Sequence, residues 1–540
     1  MKRSWFAWLL PAVFSMAAVL PSPALGDEPP VKEGGWLESK DDQTGISVRT
    51  MEMTLHPQPE PRPALKYRLL PDEFEMLDGN AAVYYLQAVG FLEQDPSRKM
   101  LFEYYQAAGE RANEQGKALH QAPPYTWYST SPEELPLAEV TDFLRMTAFQ
   151  PRYLAEAAKR RRYDMDRNIR EAEDVIGYLL SDVQTMRQLA RMQSLRCKVA
   201  IAEGRISDAL AILGQQYALG RHLGQDDFIV SNLVGIACTG YAWDDALHLI
   251  QHPDTPNLYW AFASLPRPLI DARYALALER QFLYLQLKVL REVDETPRPP
   301  GYWQDFLDRL IPQMSWLFVT EIGLPWISIP LSNEDPETVR TMLVGFVAAA
   351  YPGAKRYLIE DHGLAREQVE AYPSAQVVFL AIVRHYDEAR DEYFKWAHLP
   401  YHHARLKSGD ADQFLRQKEK RLGWSAAPAR LLLPAVGAVP TATARLEQQL
   451  ALVQTVEAIR MYGSAHDGKF PETLDDLPVP AALEPFTGQP LDYQYHGDHA
   501  ILSGHPMPGL RYRLVLRFAE RLERESGEAA SQEQNHQRPE

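Results

Sequence analysis

Cysteine is nearly missing from this chain: Cys197 and Cys238 are the only two in 540 residues. A CxxCH haem attachment is therefore excluded. One pairing remains open, Cys197 with Cys238. Both stand in apolar, helix-like surroundings, where two buried free thiols are the alternative to a bridge. Positive charge is also scarce, with 56 Lys and Arg against 72 Asp and Glu, a net charge of −16. That balance argues against a nucleic-acid partner, which would need clustered Lys and Arg. The best basic run, Lys159-Arg160-Arg161-Arg162, is flanked by Glu156 and Asp164 and reads as a solvated face. The chain has no Walker loop, no Gly-x-Gly-x-x-Gly turn, no EF-hand loop and no Gly-x-Ser-x-Gly elbow. No cofactor is expected. An enzyme is not excluded, because active sites are assembled from distant residues, but a non-enzyme is favoured.

Long apolar runs are missing as well. Residues 5–20 are apolar or small, too few for a spanning helix of ~20 residues. Lys2 and Arg3 precede them, and Pro21, Pro23 and Ala24-Leu25-Gly26 follow. This order predicts a cleaved secretory signal over 1–26 and a periplasmic or secreted bacterial protein. Loss of Lys2 and Arg3 would take the charge from −16 to −18. No cysteine stands at the cut to take a lipid. Residues 311–330 are apolar but carry Glu321, Pro325 and Pro330, which predicts buried core or a pocket wall. No integral membrane segment is expected after cleavage.

Residues 27–63 read as an extended Pro-rich arm, ending in alternate prolines at 57, 59, 61 and 63. A helical body is expected over 64–440. Asn80 opens it, and Ser131-Pro132-Glu133-Glu134 carries the cap, proline and acids of a further helix start. Met186, Leu189, Met192, Leu195, Val199 and Ala202 form one apolar stripe. Gly204 interrupts it, and Ile206, Leu210, Leu213 and Tyr217 continue on a second helix that Gly220 would stop. A second hairpin is expected from Asp226-Asp227, broken at Gly240 and restarted at Asp244-Asp245. Pro352-Gly353 would end a helix from 339, and residues 424–441, rich in Ala and Pro, read as a linker. A small α+β module is expected over 446–517, where Leu452, Val456 and Ile459 share a helix face and Tyr493, Tyr495, residues 500–502 and 512–516 alternate as strands. A polar tail fills 518–540. The expected fold is thus mainly α: an irregular, tetratricopeptide-like helical-hairpin body with a small C-terminal α+β module.

The histidines offer the best chemistry. His248 and His252 stand four apart on a helix, a spacing that can hold zinc only with a third ligand, and none is evident. No metal is therefore expected. His402 and His403, being adjacent, should point apart. Glu360-Asp361-His362-Gly363 reads as a helix end with a glycine stop. His385 and Glu388 share a helix face and suggest a local pair.

Two resemblances follow from longer words. Residues 61–71 (Pro-Arg-Pro-Ala-Leu-Lys-Tyr-Arg-Leu-Leu-Pro), 256–261 (Pro-Asn-Leu-Tyr-Trp-Ala), 265–271 (Leu-Pro-Arg-Pro-Leu-Ile-Asp), 394–396 (Phe-Lys-Trp) and 399–401 (Leu-Pro-Tyr) resemble a recurrent family of large exported bacterial proteins. The likeness runs over nearly the whole mature chain and implies export and a helical body, with no assigned activity. His466-Asp467-Gly468-Lys469-Phe470-Pro471 and Glu484-Pro485-Phe486-Thr487-Gly488 lie in a stretch, 446–505, that is similar to the globular part of type II secretion pseudopilins. Pseudopilins carry a processing motif at the N-terminus of that helix, and here the helix lies deep in the chain without one.

These readings favour an exported non-catalytic interaction or scaffold protein, holding a protein partner in grooves between helical hairpins. The alternatives are a periplasmic enzyme such as a hydrolase, with a site around 311–403, and a secretion or cell-surface assembly component.

Overall fold

The computed structural model describes residues 32–519 except 34, 42–43, 91–95, 170, 172–174, 315–335 and 434–438. The expected signal at 1–26, most of the apolar 311–330 stretch and the tail from 520 lie outside the described residues. Among those described, helix predominates and a small sheet-containing region closes the C-terminal end. No described helix is long and apolar enough to cross a membrane.

The sheet begins where the extended arm was expected. β1 (Lys32–Glu33), β2 (Trp36–Lys40) and β3 (Ser47–Leu55) are strands. β3 alternates Met51, Met53 and Leu55 inward with Glu52 and Thr54 outward, the pattern of a half-buried strand. Among the described residues of the expected arm, the proline-rich 56–63 stretch stays outside helix and sheet, as its prolines impose.

β4 (Leu77–Asn80) leads into α1 (Ala81–Ala88), where the Asn80 side chain accepts from Ala82 N at 3.0 Å. α2 (Pro96–Glu114), α3 (Leu137–Arg145) and α4 (Gln150–Ala158) follow, then β5 (Arg160–Arg162), which pairs in parallel with β4. The start signal at Ser131 yields only a single 3-10 turn over Pro132–Glu134. Pro136 pushes Leu135 out of helical geometry, so α3 starts after it.

α5 (Val175–Ala202) and α6 (Ile206–Leu223) form the expected hairpin. At its bend Gly204 has φ +69°, with Gly204 N bonded to Ile201 O and Arg205 N to Ala200 O at 2.8 Å, a Schellman stop. Gly220, by contrast, is inside α6. α7 (Ile229–Leu249) runs unbroken through Gly240, so the second hairpin does not form. Packing explains the first departure: a Cβ at Gly220 would come within 2.0 Å of Thr239 Oγ1, so the glycine serves the close crossing of α6 and α7, whereas Gly240 has open space around it and is simply a glycine the helix tolerates.

α8 (Tyr259–Ala263), α9 (Arg273–Gln286) and α10 (Pro300–Gln313) lead to α11 (Pro336–Glu360), which continues through Pro352. Here too tertiary packing wins: Gly353 admits Leu422 O to 2.3 Å of where a Cβ would stand. α12 (Arg366–Ala371), α13 (Ser374–Phe394), α14 (Tyr401–Leu422) and α15 (Ala427–Leu432) complete this half. α15 occupies part of the expected linker and buries Ala429 beside Leu433.

α16 (Val439–Ala465) is followed by β6 (Asp492–Tyr495), β7 (Ala500–Ser503) and β8 (Leu510–Phe518). The strand order is β1-β2-β3-β8-β7-β6. The sheet is mixed, because β3 pairs in parallel with β8 over nine residues, from Ser47 with Leu510 to Leu55 with Phe518. The module of 446–517 is therefore completed by the N-terminal strands. Trp36, Trp243 and Tyr512 pack ring against ring at 4.8–5.8 Å and join β2, α7 and β8. One core runs through these strands, α5 to α8 and α16, and a second lies among α10, α11, α13, α14 and α15.

Candidate functional site

A largely apolar cleft of about 710 Å³ opens beside the first core. Its walls are the 263–273 loop, the 396–402 turn, the first half of α16 and residues 482–485. Proline and alanine keep these walls close: Pro268, Pro400, Pro440 and Pro485 stand beside Ala272, Ala444 and Ala451. Leu399 and Leu483 flank it at 48% and 62% exposure. Its size falls within the usual range for ligand pockets.

Its charges are internally satisfied. Arg267 Nη1 reaches Glu447 Oε2 at 3.0 Å, and Nη2 donates to Gln454 Oε1 at 3.0 Å. Leu269 N donates to the other Glu447 oxygen at 3.0 Å, which fixes the loop on α16. Asp271 is gripped by Arg273 at 2.6 Å, and hydrogen bonding from that guanidinium holds its carboxyl below the usual range. Tyr401 OH meets Thr441 Oγ1 at 2.9 Å, and its ring packs on Phe486.

A polar chain begins in the 311–403 region read as the alternative enzyme site and reaches beyond it to Lys418. Lys418 bonds Glu388, Tyr357 OH donates to Glu388 Oε2 at 2.9 Å, and His362 Nε2 meets Tyr357 OH at 2.8 Å. Burial raises Glu388, but the hydrogen bonds from Lys418 and Tyr357 outweigh it and leave the carboxyl below its ordinary value. His385 is fully buried against the Tyr357 ring, and neither ring nitrogen has a hydrogen-bond partner among the described residues. Burial takes it down to about 4, so the ring is neutral. The expected His385–Glu388 pair is thus replaced by pairing of Glu388 with Lys418 and Tyr357. Helix spacing put the two on one face, but partners from α11 and α14 reach the carboxylate first.

The other sequence candidates are dispersed. Cys197 and Cys238 are both free and buried, and they belong to different core clusters, so the open pairing is not made. α5 and α7 direct the two thiols into separate layers. His248 is buried beside Gly35, whereas His252 accepts from Asp254 N at the helix end. Among the described residues no three His, Cys, Asp or Glu side chains are placed to hold a metal ion. His362 lies past the end of α11, with Gly363 at φ +70° as the stop. His402 and His403 do not point apart. Their ring centroids are 4.2 Å from one another, because side chains on the first turn of α14 both lean toward its N-terminus.

Sequence reasoning missed Arg267, Glu447 and Gln454, which come together from positions about 180 residues apart. It also missed Asp245, fully buried and bonded to Ser194 and Gln216. The one local signal for the first group was the Pro-Arg-Pro word, which sets a non-helical loop. No family model, curated protein or solved structure matches the chain.

Proposed function

We propose that the protein is an exported, non-catalytic binding protein that holds an apolar segment of a partner protein in the cleft between the 263–273 loop, the 396–402 turn and α16. One observation carries this reading: each guanidinium and carboxylate on the cleft wall is neutralised by a neighbour, so a ligand meets mainly apolar surface. A charged substrate would have to displace Arg267 from Glu447 or Arg273 from Asp271. Export rests on the order of charged, apolar and small residues at 2–26 and on the family likeness. The α5–α6 pair supports a tetratricopeptide-like origin for one hairpin of the body. The order of helix, turn and hairpin over 439–503 supports the pseudopilin likeness at the level of fold, which does not by itself give function.

The test is binding of a panel of apolar and polar peptides to the whole protein and to Leu399→Asp and Leu483→Asp. Both leucines are exposed, so the fold should tolerate the change. Apolar peptides should bind the native protein and bind each variant at least tenfold more weakly. Equal binding by native protein and variants would overturn the reading. The enzyme alternative is favoured by one feature, the Lys418–Glu388–Tyr357–His362 chain. It would gain if the protein hydrolysed ester or amide substrates and Glu388→Gln lost that activity without unfolding.

A further inference from the structure

The other side of the 265–274 loop carries a second cleft, of about 790 Å³, which the apolar binding role does not use. β5, the end of α6 and the turn before α7 line it. Arg167 and Asp226 form a pair there at 2.5 Å, with side chains 4% and 5% exposed. Arg161 is held by the carboxylate and carbonyl of Glu73.

The remaining charges are not balanced in place. The side chains of Arg221 and Arg162 make no hydrogen bond or ion pair among the described residues, and both residues line the cleft. Arg221 is half-buried, and burial lowers its affinity for its proton. The carboxylate that acts on it, Glu73, is already bonded to Arg161. A guanidinium taken partly out of water without a counter-ion is unfavourable, and its planar fork suits a carboxylate. Asp227 also makes no hydrogen bond or ion pair among the described residues. Burial raises it, and the charges of Asp226 and Asp164 raise it further. On this part of the lining the carboxylates of Asp164, Asp226 and Asp227 face one guanidinium, Arg167, which is already paired with Asp226. Tyr274, 67% exposed, offers an aromatic face on the lining.

A simple anion would be repelled by the carboxylates, and a simple cation by Arg221. We propose that this cleft binds a small zwitterion, a free amino acid or short peptide, with its carboxylate on Arg221 and Arg162 and its ammonium beside Asp227 and Asp164. The site shares only Pro268 and Asp271 of its lining with the apolar cleft, and none of the four charged groups named belongs to that cleft.

Calorimetric titration of the full chain with alanine and with alanyl-alanine tests it. At least one should bind, and which of them does so identifies the source. N-acetylation or C-terminal amidation of the bound compound should each weaken binding at least tenfold. Arg221→Gln and the exposed Arg162→Gln should weaken it likewise, whereas Leu483→Asp should leave it unchanged. The capped compounds are tested on unaltered protein, so their result does not depend on any variant folding. The proposal is overturned if neither compound binds at millimolar concentration, if the capped forms bind as well, or if inorganic phosphate binds as tightly.

Discussion

Asp245 should make the protein lose stability as pH rises from about 4 to about 7. Its carboxyl is fully buried on α7, accepting from Ser194 Oγ at 3.0 Å and Gln216 Nε2 at 2.7 Å. Burial is the dominant influence and pushes it up to about 7. The cation that acts on it, Lys198, donates to the carbonyls of Tyr128 and Thr130 and lies 4.0 Å from Asp244. An unfolded aspartate titrates near 4. Below that value both states hold the proton, and stability is independent of this group. Between about 4 and about 7 the folded state alone retains it, so stability falls with rising pH. Above about 7 both states have lost it and the penalty is constant. At ~1.4 kcal/mol per pH unit the window is worth about 4 kcal/mol, an upper bound because the pocket can relax. Asp245→Asn removes the titration. Gln216 Oε1 has no hydrogen-bond partner among the described residues, so the glutamine amide can turn and accept from the new amide. That exchange of partners costs about 1 kcal/mol. Urea denaturation from pH 4 to 8.5 should find the variant slightly weaker at pH 4 and stronger than the native chain by about 2–3 kcal/mol at pH 8. A difference that does not change with pH would refute the reasoning.

Two further outcomes follow from packing. Arg460 and Glu457 form a fully buried pair at 2.7 Å, and Arg460 also donates to the carbonyls of His56 and Thr255. Arg460→Met should cost about 3–5 kcal/mol, and adding Glu457→Gln should recover part of it, as read from denaturation midpoints. Gly220→Val should destabilise by about 3 kcal/mol through its clash with Thr239, whereas Gly240→Ala, with open space around it, should be neutral or stabilise by up to ~1 kcal/mol in the same assay.

The residues of α16 explain what the sequence could and could not disclose. Leu452, Val456 and Ile459 announce a helix with one apolar face, and the strands that follow alternate as strands should. Gln448, Glu457 and Arg460 then read as the wet face. They are buried: the 255–258 segment before α8 covers Glu457 and Arg460, and Glu484 and the His505 turn cover Gln448. Gln448 bonds Glu484 at 2.6 Å, and Asn257 bonds Glu457 O at 2.8 Å. Such partners lie up to 404 residues away in sequence, and no local periodicity encodes them. β3 was hidden for a similar reason. Its inward Met51, Met53 and Leu55 precede a proline-rich stretch, and its partner β8 lies more than 450 residues further on. Gly220, Gly240 and Pro352 show the opposite error. At Gly220 and beside Pro352 a local breaker signal was outweighed by helix packing, and at Gly240 the ~1 kcal/mol cost of one glycine was too small to break a 21-residue helix. For the apolar cleft, the loop was legible from Pro266 and Pro268, but its anchoring to Glu447 was not.

The same long-range contacts bear on how the cleft would bind. Its inner wall is α16, which is held from both ends of the chain. β8 packs on it from the C-terminal side, and the His56 carbonyl receives Arg460 from the N-terminal side. The facing loop is tied to that wall by three hydrogen bonds, two from Arg267 and one from Leu269 N. A wall fixed in this way costs little further ordering when a ligand enters, which favours affinity. Leu399 and Leu483 lie instead on short connecting turns at the rim, where adjustment is cheaper. The arrangement therefore divides the work: α16 and the Arg267 loop set the shape of the cleft, and the rim leucines supply apolar contact that can adapt to the segment it holds.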